Sequence, residues 1–118
     1  MASMGSRSAT ELLQLPVQLH GIRLGRPVDL LLDPVEWRAL GFVVLCGDES
    51  SRFLVFEAAD VREDAIDLPS ALVLLEDVDF YRKRSRSLRD LLRGGLHDLL
   101  VAPDGSVEAV ESEPVSTA

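Results

Sequence analysis

The sequence predicts a small, mainly β domain. Three observations carry that reading. Of the 118 residues, 47% are apolar but only 5% aromatic, so the core has to be built from Leu, Val and Ala. The stretch Leu24 to Cys46 reads as two strands joined by a tight polar turn and holds the longest apolar runs. Near the C-terminus, HDLLVAPDGSVEAV reads as a second hairpin around Pro103-Asp104-Gly105. The length suits one domain with a real core, but not two.

Taken in order, residues 1–7 lack the apolar stretch of a signal peptide and are set apart as a disordered leader or expression remnant. Ser8-Ala9-Thr10-Glu11 has the form of a capping box, in which side chains satisfy the first free backbone donors of a helix. A single helical turn follows, ended at Leu15-Pro16 because the residue before proline avoids the helical region. Val17 to His20 is a short strand and Gly21 to Gly25 a turn. Strand two runs from Leu24 to Asp33, with Val28, Leu30 and Leu32 expected on the core face. Pro27 inside it suits only an edge or a bulge. Asp33-Pro34-Val35-Glu36 supplies the turn.

Strand three, Trp37 to Cys46, is apolar on both faces, and so is strand four, Arg52 to Phe56. Strands of that kind are covered on both sides. Leu31, Leu40, Phe42 and Val44 are expected on an outer face that needs a cover, either residues 87–110 or a second chain. Ala65 to Leu68 and Ala71 to Leu75 are further short strands. The basic stretch Arg82 to Ser87 reads as a linker, with Glu76 to Ser87 as a hinge for exchange between chains. Ser87-Leu88-Arg89-Asp90 is a second capping box, and Gly94-Gly95 stops its helix. Leu96 to Ala102 and Ser106 to Val110 form the hairpin, and residues 111–118 are expected to be a disordered tail.

Two echoes link the halves. Ser8-x-x-Glu11-Leu12-Leu13 matches Ser87-x-x-Asp90-Leu91-Leu92, and Gly25…Asp29-Leu30-Leu31…Pro34 matches Gly94…Asp98-Leu99-Leu100…Pro103. The C-terminal helix and hairpin thus read as a partial repeat of the N-terminal unit. The alternative is that any helical turn plus hairpin looks alike at this level.

Leu15-Pro16-Val17, Gly21, Leu24-Gly25, Val28-Asp29, Asp33-Pro34 and Phe42-Val43-Val44, followed by FLVFEAADV, resemble the PRC-barrel domain family. The resemblance covers roughly half the chain and rests on structural motifs. It implies a small, mostly antiparallel β-barrel over residues 8–76, with residues 77–110 packing on it or on a partner chain. Its members include the cytoplasmic domain of the photosynthetic reaction-centre H subunit and the C-terminal domain of RimM-type ribosome-maturation factors. The resemblance implies contact with protein partners and brings no catalytic residues.

The charge pattern bears on partners. The chain has 20 acidic and 12 basic residues, which disfavours general binding to a phosphate backbone. Yet Arg82, Lys83, Arg84, Arg86, Arg89 and Arg93 sit within twelve positions, leaving 6 basic and 19 acidic residues elsewhere. That cluster is either a solvated face that offsets the acidic body or a contact site for an acidic partner or RNA, with Phe80 and Tyr81 for stacking. Trp37 either caps the core or anchors a partner. His20 and His97 have no partners at metal or catalytic spacing. The lone Cys46 reads as a buried small hydrophobe in a reducing compartment. The longest apolar run, Ala39 to Cys46, has eight residues, far from the roughly 20 of a membrane span.

The functional expectation is a non-enzymatic protein-binding module, cytoplasmic and homodimeric, with no cofactor, metal or small-molecule substrate indicated. Its contact residues are expected to be Trp37, Leu40, Phe42, Val44 and the basic cluster. The alternative is an RNA- or ribosome-associated maturation factor acting through residues 82–93.

Overall fold

A computed structural model describes residues 5–110; the expected tail and residues 1–4 lie outside them. The chain runs β1 (Arg7–Ser8), α1 (Ala9–Leu12), β2 (Val17–Leu19), β3 (Ile22–Leu32), β4 (Ala39–Cys46), β5 (Ser51–Val55), β6 (Asp60–Val61) and β7 (Ile66–Leu68). It continues through β8 (Leu74–Leu75), α2 (Val78–Arg82), β9 (Arg86–Ser87), α3 (Leu88–Arg93), β10 (Asp98–Val101) and β11 (Val107–Val110). The mainly β class is as expected. Instead of one closed barrel, a large sheet in the order β6-β7-β2-β3-β4-β5-β8 curls into a half-barrel, with β9 also on β3. A smaller sheet, β1-β10-β11, is tied to it where Arg38 bridges Ser106 and the Ala39 N–H donates to the Gly105 carbonyl at 2.7 Å. Pairing is antiparallel except between β2 and β7.

Two bulges decide which side chains face inward. Between β3 and β4 the register slips at Val28 and again at Leu40, and an extra residue reverses the phase of the side chains. Strict alternation from Ala39 would put Val43 inside. The extra residue Leu40 instead brings Phe42 and Val44 in beside Ala39, Leu30 and Leu32. The outer-face placement of Phe42 and Val44 is therefore corrected: both are wholly buried in the main core. Val28, expected inside, bulges to the outer side. Pro27 sits at the first slip, where a residue without an N–H donor is tolerated.

The outer face is apolar, as expected, but its residues are Leu31, Val43 and Phe53, with Val28, Leu40 and Val55 at the margin. Within the chain its cover is not residues 87–110 but α2, from the stretch read as a linker. Asp77 caps this helix by accepting from the Phe80 N–H at 3.1 Å. Val78 then packs into the outer cluster, and the Tyr81 ring stacks on Phe53 at 4.0 Å. The close approach of β5 explains Gly41, where a side chain would run into the Leu54 carbonyl and lie 2.6 Å from the Phe53 ring. Arg7, assigned to the leader, instead pairs with Val101 in the small sheet.

Candidate functional site

The two serine caps do more than start helices. Ser87 accepts from the Asp90 N–H at 3.3 Å, as a cap should, and donates its hydroxyl proton to Asp29 Oδ2 at 2.5 Å. Asp29 Oδ1 also accepts the N–H groups of Leu30 at 2.9 Å and Arg89 at 3.1 Å. Asp29 is 3% exposed, yet all three of these donors reach it. That is how a carboxyl survives burial. Ser8 behaves alike. It accepts from the Glu11 N–H at 3.4 Å and donates to Asp98 Oδ2 at 2.5 Å. Asp98 in turn accepts from Leu99 N–H at 2.7 Å, Thr10 N–H at 3.2 Å and the Thr10 hydroxyl at 2.9 Å. Each cap thus latches onto the hairpin of the opposite half. Burial raises the Asp98 pKa, but the donors, led by Ser8, outweigh it and hold the group below its ordinary value.

Sequence reading found both capping boxes and missed both latches. The available signal was Asp-Leu-Leu in each echo, a carboxylate leading an otherwise apolar strand. No spacing rule links it to a serine 58 or 90 residues away.

The Asp29 latch also sets the stage for the basic cluster. Arg82 closes α2, while Arg89 and Arg93 lie one turn apart on α3, and these three line a single surface hollow of 250 Å³ with Val28, Asp29, Ser87 and Asp90. The other members are elsewhere. The Arg84 guanidinium lies 4.0 Å from the centre of the Phe80 ring and donates to the Phe80 carbonyl at 3.0 Å. Arg86 pairs in β9 with Leu32, and Lys83 is exposed at the end of α2. Of the two aromatics anticipated for stacking, Tyr81 is spent on Phe53, whereas Phe80 carries the Arg84 guanidinium over its ring and is still 45% exposed.

Trp37 stands apart from both. It does not cap the core, being 42% exposed, and Val35 beside it is 83% exposed. Trp37 has φ of 54°, the left-handed region that a bulky residue rarely occupies. The turn around it is tightly held. Asp33 Oδ1 accepts from Val35 N–H at 2.8 Å and Glu36 N–H at 2.9 Å, which also lowers the Asp33 pKa. The Trp37 N–H donates to the Asp33 carbonyl at 3.0 Å, and its own carbonyl accepts from Val107 N–H at 3.2 Å. Arg38 donates to the Asp104 carbonyl. Leu40, the remaining apolar candidate, is half-buried at the margin of the outer cluster.

A hollow of 830 Å³ opens under the N-terminal arm between Glu11, Phe56, Arg62 and Pro103. Arg7 at its rim is committed to the carbonyls of Arg62 and Glu63, at 2.9 and 3.2 Å. Cys46 is half-buried, and its thiol pKa is raised by burial and by Asp48. His20 and His97 are exposed. Among the described residues no group of three His, Cys, Asp or Glu side chains is placed to hold a metal, and no helix is long and apolar enough to cross a membrane.

Comparison with protein-family models and with curated proteins returns no match.

Proposed function

We propose that the chain is a non-enzymatic, PRC-barrel-like assembly module of the cytoplasm that binds protein and pairs with a second copy of itself. The observation that carries this reading is the Trp37 turn. Five backbone and side-chain bonds fix it while it holds Val35 and Trp37 out to solvent. A rigid, exposed tryptophan is the kind of residue that dominates a binding interface, because little freedom is lost when it is buried. Charge favours a second copy as the partner. The Arg82–Arg93 segment carries six cations against Asp90, and the remainder of each chain is strongly acidic, so the basic segment of one copy suits the body of another. The two matching latches support the reading of residues 87–110 as a partial repeat of the N-terminal unit, with each cap bonded to the hairpin of the other half.

Light scattering tests the pairing. The expected mass is twice the 12.9 kDa of one chain, and Trp37→Asn, which suits the left-handed backbone, is expected to return it to a single chain. Wild-type protein that stays at one-chain mass at high concentration would sink the homodimer.

The second reading, an RNA- or ribosome-associated maturation factor, draws on the convergence of Arg82, Arg89 and Arg93. Of the aromatics that reading needs for stacking, Tyr81 is engaged on Phe53, while Phe80, with Arg84 over its ring, is 45% exposed. A gel shift with RNA that weakens steeply with salt would favour this second reading.

A further inference from the structure

We propose that the hollow between α2 and α3 is a binding site for a compact phosphate group, either inorganic phosphate or the phosphate of a small monoester. Arg82, Arg89 and Arg93 all line it, and they reach it from two separate elements. Their donors are largely unspent. Among the described residues Arg82 makes no ion pair and no side-chain hydrogen bond. Arg89 gives one long bond, 3.4 Å, to the Val28 carbonyl. Arg93 meets Asp90 at 3.5 Å with both side chains at least 70% exposed, a contact worth little in water. Arg62 and Arg52, by contrast, lean on partners of their own, 2.7 Å from Asp67 and 3.2 Å from Glu76.

Two carboxylates share the hollow, and neither fills it. Both oxygens of Asp29 are committed to the latch, and Asp90 points largely to solvent. Arg89 and Arg93 are four residues apart on a helix, a spacing at which like charges repel and an anion between them is favoured. A guanidinium fork matches the oxygens of a phosphate in pairs, so three forks around one hollow suit a dianion better than a single carboxylate. The latch fixes where the forks start, because Asp29 holds the Arg89 backbone directly. A compact ligand is favoured over a long polyanion. Outside the basic segment the chain has 19 acidic against 6 basic residues, so a long polyanion would have to run along a surface that repels it.

The experiment is a calorimetric titration of the full chain with inorganic phosphate, against sodium chloride at equal ionic strength. One saturable site is expected. Arg82→Gln and Arg93→Gln are each expected to weaken it about tenfold, and the double variant to lose it. Arg84→Gln, outside the hollow, is expected to change nothing. Because Arg82 and Arg93 are exposed, these variants keep the fold, which the near-ultraviolet signal of the Phe53–Tyr81 stack verifies. A parallel titration with O-phosphoserine separates the sources: tighter binding than phosphate assigns a monoester, equal binding the free ion. A response no greater than chloride, or one that survives in the double variant, overturns the proposal. So does binding of a single-stranded RNA oligonucleotide that phosphate does not displace. Self-association would bring the acidic body of a second copy to this basic segment and compete for it, so Trp37→Asn, which abolishes pairing, is expected to keep the site or to bind phosphate more tightly.

Discussion

The Ser87–Asp29 and Ser8–Asp98 latches use the same chemistry in different surroundings. Both join a serine cap to the carboxylate of an Asp-Leu-Leu run in the other half of the molecule. Asp29 is 3% exposed and lies in the middle of β3, whereas Asp98 begins β10 and is half-buried. Asp98 even has one donor more, the Thr10 hydroxyl, so the difference teaches that such donors matter in proportion to how little water stands in reserve. Asp29→Ala strands the buried Leu30 N–H and removes the partner of the part-buried Ser87 hydroxyl and Arg89 N–H. A loss of about 3 kcal/mol is expected, the largest effect among these variants, read as a fall in the urea midpoint. A loss as small as that of Asp98→Ala would break the comparison.

The strands that follow the two carboxylates also differ in cover. Leu31 is 1% exposed beneath α2, while Leu100, its counterpart in the second hairpin, is 37% exposed. The gap is made by one short helix and one ring, Tyr81 on Phe53. Tyr81→Ala removes the stack and opens the outer cluster, with an expected cost of about 2 kcal/mol by chemical denaturation. Leu100→Ser is expected to stay within about 0.5 kcal/mol.

At the Asp98 latch, pH provides a milder probe than truncation. The folded pKa lies below the ordinary 3.8, so the unfolded chain binds the proton first. The stabilisation is fully present above the unfolded value and is lost as pH falls through the folded one. Asp98→Asn is therefore expected to cost about 1 kcal/mol at neutral pH, with the gap from wild type closing as the solution is acidified below the ordinary carboxylate range. A gap that is constant with pH would mean that the cost comes from shape rather than charge.

Much of the fold was legible because its signals are local. Ser8 and Ser87 with their acids three residues on, the Pro-Asp-Gly turn and the two-sided apolarity of β4 and β5 all announce elements from a few neighbouring residues. The errors came where one residue shifts a phase or where a contact is long-range. Nothing in ALGFVVLC marks Leu40 as the bulge that turns Phe42 inward. The helix Val78–Arg82 was hidden because its Asp77 cap sits inside an acidic patch and its far end is basic, which reads as a charged linker. Of the candidate site, the arginines were legible as a cluster. Their division, with Arg82, Arg89 and Arg93 gathered and Arg84 turned onto Phe80, depends on how α2 and α3 dock, which spacing alone does not state.

The hairpin turns give the last comparison. The first places Trp37 in a left-handed conformation, φ 54°, and the second places Gly105 there, φ 93°. Glycine adopts that region without strain, whereas a bulky side chain costs about 1–3 kcal/mol to hold there. A chain selected for stability alone would carry glycine at both turns. Trp37→Gly makes the first turn like the second: relief of strain offsets the lost contacts of a half-exposed ring and the greater freedom of glycine in the unfolded chain. The monomer's stability is therefore expected to move by less than about 1 kcal/mol, the smallest shift among these side-chain tests of the core, latch and turn apart from Leu100→Ser, while self-association by light scattering is lost. A large drop in stability with pairing retained would make Trp37 a folding residue and leave its exposure without a partner to explain it.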